Sequence, residues 1–144
     1  MGYDPVLLRD RPRPMQVVIG GVFPAIAGVV AGILIGVSPG AYYGYGAFVA
    51  VLTVVGGFEH QDGWGGADRG VVGGFIYGVV LLVTHAIVGT EATVSLGSFP
   101  PFLAVITAII GMLLAALGGR IARGQRERAQ ARAGGPVDVP LEGD

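Results

Sequence analysis

Arg69–Gly89, RGVVGGFIYGVVLLVTHAIVG, is apolar over about the 20 residues that a helix needs to cross a bilayer, and it holds one ionisable side chain, His85, within it. Spacings of three and four place Gly70, Gly74, Gly78, Leu81 and His85 on one helical face. A face without bulk suits close helix packing, so this reading points the glycine stripe and the single polar group at a neighbouring helix and away from lipid.

Working outward, the rest of the chain has the same character. Of 144 residues 52% are hydrophobic and 13% charged, with a mean hydropathy of +0.68, whereas soluble domains carry about 25% charged residues. Three further apolar runs flank the first, giving spans at about 15–37, 41–58, 70–89 and 101–119. The predicted fold is therefore an all-α integral membrane protein, a glycine-rich antiparallel bundle of four transmembrane helices. In the first span Gly20, Pro24, Gly28, Gly32 and Gly36 repeat every four residues, with a kink expected at Pro24. A cleavable leader is set aside because the apolar run continues well past the Ala25-Ile26-Ala27 site.

Ser38-Pro39-Gly40 is a short turn, which predicts that the second span packs antiparallel on the first. Tyr42, Tyr43 and Tyr45 open that second span as an aromatic belt. Glu59–Asp68 reads as a polar loop with Trp64 as an interface anchor and Asp68 as the cap of the third helix. Pro100-Pro101 suits the start of the fourth span, whose small face includes Ala104, Thr107, Gly111 and Ala115. A likeness between Val17–Phe23 and Val71–Phe75 is compatible with a duplicated two-helix hairpin, although abundant glycine weakens it.

Charge sets the expected topology. All nine basic residues are arginines, and none lies inside an apolar run. With both termini cytoplasmic, the inner segments hold every arginine and the outer turns none, as the positive-inside rule requires. Residues 1–14 are then a cytoplasmic tail, 120–133 a basic helical extension and 134–144 an acidic flexible tail. Arg120, Arg123, Arg126 and Arg128 are the expected contacts to anionic headgroups. The localisation expected is the plasma membrane of a prokaryotic cell.

For function, Gly28, Gly32, Gly36, Gly70, Gly74, Gly78 and Gly111 are the helix-packing candidates, whether within one bundle or between copies. His85, with Tyr42 and Thr107 at a similar depth, is the candidate polar, proton or ligand site; the competing reading is a neutral histidine bridging two helices. Glu59, His60, Asp62 and Asp68 have metal-capable side chains but match no ligand spacing, so a metal site is left unassigned. There is no cysteine, nucleophile elbow, phosphate loop or HExxH, and the arginine run has no aromatic reader. The expectation is a non-enzymatic subunit or assembly partner of a homo-oligomer or larger membrane complex, with no cofactor and no nucleic acid. The alternative is a minimal channel or transporter with a path past His85.

Overall fold

The computed structural model describes residues 12–60 and 62–133; the expectations for the two tails at 1–11 and 134–144 lie outside the described residues. The described chain is helical without strands, and four helices are long and apolar enough to cross a membrane: α1 Arg13–Leu34, α2 Pro39–Gly57, α3 Gly63–Val88 and α4 Phe102–Ala133. Four apolar helices of this length point to a membrane protein.

Each helix begins or ends where local chemistry demands it. Within α1 the turn Val18–Val22 widens to π geometry, and the Phe23 N–H reaches back to the Val18 carbonyl. The next residue, Pro24, has no N–H to give to the preceding turn, so the irregularity falls where the ladder loses a donor. Ser38 starts α2, its hydroxyl accepting the Ala41 N–H at 3.1 Å, with Pro39 behind it in the first turn.

The third helix starts at Gly63, so most of the predicted polar loop is its first turns. Asp62, and not Asp68, is the cap, accepting the Gly65 N–H at 2.9 Å. An aspartate in extended backbone just before the helix can reach an unpaired first-turn N–H, while Asp68 is already inside. Gly89, at φ +69°, ends α3 in the left-handed conformation that glycine adopts freely. The fourth helix runs unbroken for 32 residues, about 48 Å at 1.5 Å per residue, and so outruns a hydrocarbon core about 30 Å thick.

The main seams join α3 to α4, α1 to α3, and α2 to α4. Along the first of these, a Cβ placed on Gly66, Gly70, Gly74 or Gly78 would meet Ala115, Gly111, Thr107 or Ala104 respectively, so the two helices run antiparallel with backbones nearly touching. Gly28 and Gly32 are held against Tyr77–Leu81 and Leu81–His85, and Gly36 against Thr90, so α1 and α3 run parallel. Gly57 and Gly118 join α2 to α4 near the inner ends. Every glycine nominated from the sequence thus abuts another helix or the loop after α3, within the one chain.

One expectation is corrected. The short turn does not lay α2 along α1; the two helices touch little, and α2 leans on α4 instead. Ile35 and Leu81, both fully buried, form with Ala31 a small core that Tyr42, Tyr45 and Tyr77 pack against near the turn. The two hairpins are accordingly not packed alike, since α3 and α4 are in close contact.

Candidate functional site

The space left between α1 and α2 is a cavity of about 540 Å³, backed by α3 and α4. Its walls are almost wholly apolar: Ile19, Phe23 and Ala27 of α1, Val49 and Leu52 of α2, Ile110 and Leu114 of α4. Glycines 70, 73 and 74 of α3 make the floor: Gly70 and Gly74 lie against α4 and Gly73 faces Pro24 of α1, so none has a side chain with which to fill the interior. The threonine hydroxyls on the wall are occupied. Thr53 donates to the Val49 carbonyl at 2.8 Å, and Thr107 to the Leu103 and Ala104 carbonyls at 3.0 Å each. Tyr42 and Tyr77 line the outer end, where the Ile35–Leu81 core lies beyond them.

The mouth beside the end of α2 is different in kind, for there Glu59, His60 and Arg69 join the lining. Arg69 extends across the bare backbone of Gly20, where a Cβ would overlap its guanidinium, and donates to the Gln16 carbonyl at 2.7 Å. That contact ties α3 to α1 one turn before the π segment. His60 follows α2, and its Nδ1 is shielded from solvent without a hydrogen-bond partner among the described residues. Burial first, and the positive charge of Arg69 second, lower its pKa below the usual histidine value. The Gly56 and Gly57 carbonyls and the Glu59 carboxylate pull the other way.

The candidate trio from the sequence is split. Tyr42 and Thr107 line the same cavity, but His85 does not. It sits in the last turn of α3 beside Gly32, half-buried, and its Nδ1 has no partner among the described residues, so neither Tyr42 nor Thr107 serves that nitrogen. Similar depth was legible from residue counting; rotation about the helix axis depends on which neighbours α3 chooses, and counting does not supply that.

Within the arginine run, Arg126 donates to the Phe58 and His60 carbonyls at 3.0 and 3.1 Å and so caps the end of α2. Arg123 is exposed and pairs with Glu127 at 2.7 Å, one helical turn on. Trp64 is 80% exposed on the first turn of α3. Among the described residues no three histidine, aspartate or glutamate side chains gather as a metal site, and Glu59, His60, Asp62 and Asp68 are no exception. Sequence reading missed that His60 and Arg69 meet at one mouth of the cavity; the signal was an arginine at the edge of a span opposite a glycine notch.

No family model, curated protein or solved structure matches the chain.

Proposed function

We propose that this protein is a non-enzymatic subunit or assembly partner in the plasma membrane, its four helices forming an antiparallel bundle with both termini cytoplasmic. The observation that carries this reading is α2. Of its 19 residues only Gly57 is buried. Phe48 and Val51 stand exposed at helical spacing, and Gly44, one turn before Phe48, has open space where a Cβ would go. The glycine stripes of α1 and α3 are already occupied inside the chain, while this face of α2, a small residue in line with two bulky ones, is open to a second copy or another subunit.

A channel past His85 has less support, because the fully buried Ile35 and Leu81 lie beyond the outer end of the cavity and His85 is off its wall.

The test is the mass of the protein extracted in a mild detergent. A complex larger than one chain is expected, which Gly44→Leu and Phe48→Ala weaken. A strictly monomeric species that cross-links to nothing in intact membranes overturns the subunit reading. Proton or ion flux through liposomes that is lost in His85→Ala would establish the alternative in its place.

A further inference from the structure

Where Arg69 crosses the bare backbone of Gly20 it also borders a second hollow, of about 440 Å³, between the first turns of α1 and the start of α3. That volume falls within the roughly 300–1,000 Å³ range of small-molecule sites. Polar and apolar lining are separated along the helices. Arg13, Gln16 and Arg69 lie at the end nearest the start of both helices, and Val72 and Ile76 continue the wall inward. Ile76 stands seven residues, about 10 Å, further along α3 than Arg69. Gly20 and Gly21 leave the hollow its room, and at Gly21 a Cβ would meet nothing within 4 Å.

The charge lining this hollow is of one sign, for two guanidiniums face it and no carboxylate does. Arg69 is half-buried and donates to a neutral group, the Gln16 carbonyl, while Arg13 is exposed. Among the described residues neither arginine is in an ion pair. Glu59, whose charge reaches Arg69, lines the other cavity and has interactions of its own. One carboxylate outside ion-pair contact against two guanidiniums leaves positive charge in excess, at the edge of an apolar slab where an anion is attracted more strongly than in water.

The lining then selects among anions. A phosphate diester accepts several N–H groups from guanidinium forks and keeps its charge at neutral pH. Inorganic phosphate would meet the arginines and leave the apolar wall uncovered. A phospholipid meets both, with its head at the ends of the helices and a chain directed inward, which is how the surrounding leaflet already presents it. We propose that this hollow binds one anionic glycerophospholipid of the leaflet at the N-terminal end of α1, its phosphate at Arg13 and Arg69 and one acyl chain along Val72 and Ile76. The site is complete within one chain, so it stands or falls independently of the subunit reading.

Native mass spectrometry of the full-length protein in detergent, with dioleoyl phosphatidylglycerol or dioleoyl phosphatidylcholine added at equal concentration, reads the occupancy. A one-to-one phosphatidylglycerol adduct is expected, roughly tenfold or more above the phosphatidylcholine adduct, whose phosphate and chains are the same but whose head carries a compensating cation. Arg13→Gln alters an exposed side chain and should reduce the adduct severalfold. Gly21→Leu, which fills the hollow without pushing on a neighbour, should abolish it while keeping the helical circular dichroism of the parent. Arg128→Gln, on the basic extension of α4, should leave it unchanged. No phosphatidylglycerol adduct, equal adducts of the two lipids, or an adduct undiminished in Arg13→Gln or in a folded Gly21→Leu protein would each overturn the assignment. So would an equal loss in Arg128→Gln, which means diffuse attraction, or displacement by an equal concentration of inorganic phosphate, which means a free-anion site.

Discussion

Adding a single methyl group at Gly74 should destabilise the protein, whereas the same methyl group at Gly46 should not. At Gly74 the new Cβ would stand 2.9 Å from the Ala108 Cα and closer still to the Thr107 carbonyl oxygen, and both are backbone that no rotamer change can move. Ordinary contact begins near 3.4 Å, so α3 and α4 must part by about 0.5 Å or more at this point. A gap of that size forfeits roughly a quarter of the dispersion attraction of each atom pair it opens, and overpacking of this kind costs about 1–3 kcal/mol. Replacing a mid-helix glycine with alanine returns roughly 0.5–1 kcal/mol, which leaves Gly74→Ala destabilised by about 1–2 kcal/mol. Gly46→Ala meets nothing within 4 Å and keeps the gain alone. Equilibrium unfolding in mixed micelles, followed by circular dichroism, measures both. If Gly74→Ala proved as stable as Gly46→Ala, the close α3–α4 seam would be wrong. The facing glycine gives a further check: Gly111 abuts the Gly70 backbone, so Gly70→Ala and Gly111→Ala together should cost less than the sum of the two, because the first has already parted the helices.

Arg126→Ala removes two charge-assisted hydrogen bonds from the end of α2 and should cost about 1–3 kcal/mol, with faster amide exchange around Phe58–His60 as the local readout; unchanged exchange there would refute the cap. Because His60 has a lowered pKa in the folded state, the unfolded chain binds its proton first as pH falls. Stability should be level above about pH 6.5 and decline below it, and His60→Phe should remove the part of that slope due to this residue. A chain without cysteine allows single thiols to report topology, and Ser98 and Ala129 are both exposed, one before α4 and one near its far end. Ser98→Cys should react with an impermeant maleimide on intact cells and Ala129→Cys only after permeabilisation, and the reverse pattern would invert the proposed orientation.

Membrane-spanning helices were legible because length and hydropathy suffice for them, and the glycine stripes were legible because spacings of three and four define a face without knowledge of its partner. Where the sequence reading failed, the deciding residues lie far apart in the chain. Arg126 reads as one of a basic run until the carbonyls of Phe58 and His60 are placed beneath it. Arg69 reads as a topology anchor until Gly20 provides the notch through which it reaches Gln16. Both arginines donate to backbone carbonyls on other segments, and which carbonyl the fold sets before an arginine leaves no mark in composition.

The open hairpin has a similar origin. A short turn limits how far apart two helices can start, and says nothing of how they diverge beyond it, where α2 leans on α4 and touches α1 little. The glycines that let α3 lie against α4 leave its inward side without bulk, and the seam with α1 is made by the glycines of α1 itself. Close seams on two sides and a cavity behind them are therefore one consequence of two glycine-rich helices, and the depth of that cavity should shrink in step with each large residue placed on its α2 wall.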